Sequence, residues 1–155
     1  MGYEIWNLLG NGGDSMKSVI LFRVVAFIFL LFTAGHTFGF LTFKPPTAEG
    51  AAVFDAMNRV HFSVGGQRTS SYGNFYRGFG LSISAAQLFS AFLAWQLGSM
   101  AKRRSKDVKP LGWGFFLLQI PGLVLSFLYF GVPPMVLGSL VTVLIAWATA
   151  AAEIS

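Results

Sequence analysis

Four long apolar stretches run along this chain, at about residues 18–41, 74–98, 111–131 and 134–152, separated by polar segments of unequal length. A bilayer core takes roughly 20 predominantly apolar residues per helix, so each stretch reads as a membrane-spanning helix. Residues 44–73 separate the first two. The basic run Lys102-Arg103-Arg104-Ser105-Lys106-Asp107-Val108-Lys109-Pro110 separates the second and third. Only Val132 and Pro133 separate the last two, which predicts a tight antiparallel hairpin. Prolines punctuate the pattern because the ring removes a backbone donor and restricts the residue before it. Pro45-Pro46 closes the first helix, Pro110 precedes the third, and Pro133-Pro134 marks the final turn. Pro121 falls inside the third helix and predicts a kink, tolerated where neighbouring helices satisfy the freed carbonyl.

The polar segment 44–73 carries a second, weaker pattern. Thr47 is suited to cap a helix, and Glu49 suits its first turn. Val53, Phe54, Met57, Val60 and His61 recur at spacings near three and four, which predicts a short amphipathic helix over 48–62 lying outside the membrane. Gly65-Gly66-Gln67-Arg68-Thr69-Ser70-Ser71 reads as a loop. Residues 1–15 are polar and Gly-rich and read as a flexible leader, with Met16-Lys17 resembling a start in its own right. The apolar run that follows is longer than a cleavable signal peptide needs, and Trp6 breaks any myristoylation pattern. The expected fold is therefore all-α: one transmembrane domain over 1–155, an integral membrane four-helix bundle with a short extramembrane amphipathic helix between helices 1 and 2.

Composition agrees. Hydrophobic residues make up 54% and charged residues 11% of the chain, with a mean hydropathy of +0.63. A soluble domain is roughly 25% charged. The 17 Phe residues exclude a disordered tail. The absence of cysteine excludes disulfides, thiolate metal sites and thiol chemistry. A net charge of +5 would hint at nucleic acid in a soluble protein. Here the basic residues sit at the ends of apolar stretches, where they orient a membrane protein and meet anionic headgroups. Five basic residues lie between Lys102 and Lys109, which predicts that this loop and both termini face the cytoplasm across a bacterial inner membrane. Trp95, Trp113 and Trp147 fall near that interface, and Tyr72, Tyr76 and Tyr129 near the outer one.

Small residues suggest how the helices pack. Gly78, Ser82, Ala86, Ser90, Ala94 and Gly98 repeat at spacing four on the second helix, and Gly35 and Gly39 form such a step on the first. Stripes of this kind let backbones approach in lipid. They fit packing within the bundle, or a homodimer or membrane-protein partner. Gln87 and Gln119 fall near mid-span and are expected to bond across helices.

Candidate chemistry is sparse. None of the six acids, Glu4, Asp14, Glu49, Asp55, Asp107 and Glu153, lies within an expected span, which argues against a proton-coupled exporter. No embedded Ser/His or Asp pair for intramembrane proteolysis is evident, and no metal-ligand spacing occurs. His36, in the outer third of the first helix, is the best single candidate, because an ionisable group at that depth is paired or functional. Arg77 is expected at similar depth on the second helix, where it snorkels or meets an anion. Tyr76, Tyr72, Asn74 and Arg68 add donors around the same mouth, and Asp55 or Glu49 could neutralise Arg77 or orient His36. Arg23 is expected to snorkel to the headgroups. No catalytic residue, metal or cofactor is assigned.

Gly35-His36-Thr37, Ser71-Tyr72, Phe75-Tyr76-Arg77-Gly78-Phe79-Gly80-Leu81 and Trp95-Gln96-Leu97 together resemble a group of small, uncharacterised four-helix bacterial membrane proteins. The resemblance covers about residues 33–98 and fades beyond. That family has an aromatic–Asp pair where this chain has Gly73-Asn74, so a carboxylate near the mouth is missing here. The resemblance implies an architecture and a site location, and no reaction. The sequence as a whole points to a non-enzymatic module that binds membrane lipids or another apolar ligand, or packs beside a partner. The alternatives are a small membrane enzyme acting on a lipid or isoprenoid, with His36 as acid–base group and Arg77 as anion clamp, and a channel or transporter subunit. Nucleic acid is not an expected partner.

Overall fold

The computed structural model describes residues 2–66, 69–103 and 105–152, with 2–15, 105 and 106 described by their backbone alone. The chain is all-α apart from one small hairpin. The elements in order are α1 (Gly2–Thr42), α2 (Ala48–Arg59), β1 (His61–Ser63), β2 (Thr69–Ser71), α3 (Tyr72–Arg103), α4 (Ser105–Tyr129) and α5 (Val132–Ala150). Four segments are long and apolar enough to cross a membrane: Met16–Thr42, Tyr72–Arg103, Asp107–Tyr129 and Val132–Ala150.

Several boundaries differ from the sequence pattern. Helix α1 starts at Gly2, where the sequence suggested a flexible leader. Extending a formed helix is far easier than starting one, and the apolar run from Met16 supplies the nucleus. The expected loop around Lys102–Pro110 shrinks, because α3 continues to Arg103 and α4 begins at Ser105 with Pro110 inside it. So close to a helix start, the proline ring forfeits a single bond, the one its N–H would make to the carbonyl four residues back. Pro121 is also contained in α4. Pro133 and Pro134 occupy the first turn of α5, where backbone N–H groups have no helical acceptor anyway. The amphipathic helix ends at Arg59 instead of 62, and the 65–71 loop contains a strand. Val60 caps α2 in an extended conformation, and β1 and β2 pair antiparallel with His61 opposite Ser71. Gly65 and Gly66, at φ of 107° and 59°, take the left-handed backbone that turns the chain between the strands.

By contacts the chain divides into two compact units, one of residues 1–32 with 89–155 and one of residues 33–88. The first holds the apolar core. Phe22, Val25, Ala26 and Phe29 of α1 are buried with Ala91, Ala94, Leu97 and Ala101 of α3, Val108 and Phe115 of α4, and Val141, Ile145 and Ala148 of α5. Spacings of three and four put each set on one helix face. Phe29 and Phe115 meet at 6.1 Å between ring centres. Ser18, fully buried, donates to the Ala148 carbonyl at 2.8 Å and so ties α1 to α5. The small-residue stripe is used here: Ala94 is buried, and Gly98 faces Phe22 Cβ, which a Cβ on the glycine would meet at 3.3 Å. The outward faces carry large apolar side chains. Phe27, Leu31, Phe89, Phe92, Leu117, Leu118 and Val143 are each more than half exposed, a surface suited to hydrocarbon and not to water.

The second unit contains the end of α1, α2, the hairpin and the first half of α3. Each helix start is capped. Thr47 Oγ1 accepts from the Gly50 N–H at 3.1 Å, and the buried Ser71 Oγ accepts from the Asn74 N–H at 3.1 Å. Gly73 lies under Asn58, whose side chain occupies the space a Cβ at 73 would need. The glycine at this position is therefore a packing requirement of α2 on α3.

Candidate functional site

The second unit brings His36 to a partner the sequence did not show. Ser84, one face along α3, is buried, and its Oγ stands 3.0 Å from His36 Nδ1. Thr37 Oγ1 donates to the same Ser84 oxygen at 2.8 Å. With Thr37 donating to it, the Ser84 hydroxyl keeps one proton to donate to Nδ1 and one lone pair to accept from an Nδ1–H, so the imidazole tautomer sets the direction of that bond. The expectation that no embedded Ser/His pair exists is thus corrected. The pair joins two helices whose register a single sequence does not reveal.

The geometry suits a polar tie better than a nucleophile. Ser84 Oγ is shielded and already accepts from Thr37. It sits mid-helix, where backbone N–H groups are committed to the helix and none is left to stabilise an oxyanion. The acids the sequence offered as orienting groups, Glu49 and Asp55, are exposed.

From His36 a run of aromatic rings leads across three helices. His36 stacks on Phe40, with 5.8 Å between ring centres and 6° between planes. Phe40 meets Tyr76 at 5.2 Å, Tyr76 meets Phe54 edge-on at 6.1 Å, and Phe54 meets Phe43 at 6.1 Å. Gly80 makes room for this run, because a Cβ there would collide with the Phe40 ring. A second run, Tyr72–Phe62–Phe75–Phe79, joins the hairpin to α3 with centre separations of 4.7, 5.7 and 4.8 Å. Phe40 and Phe62 were not singled out from the sequence, and Phe54 was noted only as part of the amphipathic helix. Only Phe40 had a local signal, its spacing of four from His36 on α1.

The remaining site candidates separate. Tyr76 belongs to the first ring run and Tyr72 to the second. Arg77 is exposed, as are Asn74 and Tyr72. No ion pair joins Arg77 to Glu49 or Asp55 among the described residues. Arg68 lies outside the described residues. Of the proposed packing residues, Gly35, Gly39 and Gly78 have nothing within 4 Å of where a Cβ would stand, and Ser82 and Ala86 are exposed. In this unit the small-residue stripe is open, whereas Ala94 and Gly98 are covered. Gln87 Oε1 is buried without a hydrogen-bond partner among the described residues, so the anticipated bond across helices is not made by that oxygen. Among the described residues no three His, Asp or Glu side chains gather in a way that could hold a metal ion.

In the first unit, Arg23 does not simply reach for solvent. Its guanidinium lies over the Trp95 ring, 3.2 Å from the centre, and Nη2 donates to Ser99 Oγ at 3.0 Å. Stacking on indole and a hydroxyl acceptor together make a half-buried cation tolerable within an apolar span.

No family model matches this chain, and no curated protein or solved structure is similar to it. Four helices long enough and apolar enough to cross a membrane, in an all-α fold, define it as a membrane helix protein.

Proposed function

We propose that this protein is a non-enzymatic module of a bacterial inner membrane that holds a lipid or other apolar ligand against the aromatic face of the 33–88 unit. The observation that carries this reading is the unbroken ring run from His36 through Phe40, Tyr76 and Phe54 to Phe43. Tyr76 and Phe43 remain substantially exposed at 43% and 53%. Rings of this kind offer a rigid apolar wall with few rotamers to freeze. Arg77, exposed at the start of α3, supplies a guanidinium for an anionic headgroup beside that wall.

Native mass spectrometry of detergent-released protein tests the reading. Wild type is expected to carry a defined apolar adduct that Tyr76→Ala and Arg77→Ala each lose. Bare protein, or spectra in which no adduct responds to either substitution, rejects it. The open positions Gly35, Gly39 and Gly78 favour a second reading, in which a partner helix or a second copy packs on this face. In the same spectra that reading predicts a dimer which Gly78→Ile abolishes.

The basic run after α3 supports a topology with both termini cytoplasmic and α2 on the outer side. A chain without cysteine allows this to be read directly. Ala52→Cys is expected to react with an impermeant maleimide in intact spheroplasts, and Lys102→Cys only after the membrane is opened. The reverse pattern inverts the topology.

A further inference from the structure

The first unit contains a cavity that the function proposed above does not use. It measures about 170 Å³ and is lined by Gln96, Ser99, Met100 and Arg103 of α3 and by Asp107 in the first turn of α4. That is room for about five waters at their liquid volume, or for a small polar headgroup. The four α3 residues recur at spacings of three, one and three, so they share one helix face. The wall carries both signs of charge. No ion pair joins Arg103 to Asp107 among the described residues.

Behind the wall stands a third charge. Ser99 accepts from Arg23 Nη2 at 3.0 Å and donates to the Trp95 carbonyl at 3.1 Å. Arg23 Nη1 is buried with no hydrogen-bond partner among the described residues. The cation is thus one hydrogen bond from the cavity and still has a donor to use. Trp95, next in sequence to Gln96, is 54% exposed, as an aromatic residue at a membrane interface would be.

We propose that this cavity binds the headgroup of a phosphoethanolamine lipid. The phosphate meets Arg103, with Gln96 as a further donor, and the ammonium N–H groups meet the Asp107 carboxylate. A simple anion fits the site less well, because Asp107 repels it. A choline headgroup has the positive charge but no N–H to donate. The proposal is independent of the ring-lined face, since it shares no residue with it.

The test uses the full-length protein in nanodiscs holding equal parts of ethanolamine, glycerol and choline phospholipids with matched acyl chains. Native mass spectrometry counts the lipids each variant retains. Wild type is expected to retain the ethanolamine lipid about tenfold over the other two, as one charged hydrogen bond implies. Asp107→Asn should erase that preference over the glycerol lipid, and Arg103→Gln should lower retention of the ethanolamine lipid about tenfold. Met100→Trp, which fills the cavity and leaves the charges in place, should displace the lipid. Equal retention of the three lipids by wild type overturns the proposal. So does an ethanolamine preference that survives Asp107→Asn or Met100→Trp.

Discussion

Gly112→Ala is expected to loosen the packing of α4 against α5 and to lower the melting temperature in detergent by several degrees. Gly112 is buried against Thr149, itself fully buried. A Cβ at 112 would collide with Thr149 Oγ1 and stand 2.8 Å from its Cγ2 and 3.1 Å from its Cβ. Thr149 cannot swing clear cheaply, because it is β-branched and its hydroxyl donates back to the Ile145 carbonyl at 2.7 Å. Overpacking of this kind costs about 1–3 kcal/mol, more than the ~1 kcal/mol that alanine gains over glycine in a helix. Gly114→Ala is the matched control. It lies two residues along the same helix with nothing within 4 Å of the added Cβ, so it should leave stability unchanged or raise it. Thr149→Ala in the Gly112→Ala background removes the two nearest obstructing atoms and should recover most of the loss. A double-mutant cycle measures that coupling directly. Equal melting temperatures for Gly112→Ala and Gly114→Ala would remove the case for a tight α4–α5 contact at this point.

The spans were legible because a membrane helix is specified by length and apolarity, and four stretches meet both conditions. What surrounds them was less legible, for separate reasons. Strands of three residues are too short to display alternation, so β1 and β2 were hidden inside an apparent helix end and loop; only Gly65-Gly66 marked the turn. Pro110 read as a boundary, although one lost hydrogen bond near a helix start does not stop the helix. Spacing four on α3 identified the small-residue stripe but not its extent of use, since covered Gly98 and open Gly78 look alike in sequence. His36 stood out by its depth and charge type. Its partner did not, because Ser84 is an ordinary helix residue until the register of α1 against α3 is known. Arg23 shows the same limit: its cost in lipid was visible, whereas its stacking on Trp95 and bond to Ser99 depend on which faces meet.

Ser84→Ala is expected to be the most damaging small substitution in the 33–88 unit. One oxygen serves two partners, Thr37 Oγ1 at 2.8 Å and His36 Nδ1 at 3.0 Å, and both come from α1. Removing it takes from two polar groups the buried atom on which both ended. A shielded donor or acceptor left unpaired costs about 1–3 kcal/mol, and single polar bonds between membrane helices average about 0.6 kcal/mol. The expected loss for Ser84→Ala is therefore about 1–3 kcal/mol, and for Thr37→Val, which leaves the Ser84–His36 bond in place, under about 1 kcal/mol. Ser84→Thr keeps the hydroxyl and should stay close to wild type. Imidazole nitrogen shifts give a readout that loss of packing alone would not produce. In wild type the bond to Ser84 is expected to bias the ring toward one tautomer, and Ser84→Ala should release that preference while Ser84→Thr retains it. If Ser84→Ala leaves both stability and tautomer unchanged, the cluster does not tie α1 to α3, and an imidazole within an apolar span needs another cause. A large loss with the tautomer released makes the imidazole a structural member of the bundle, and the ring run that begins at it then rests on a fixed wall.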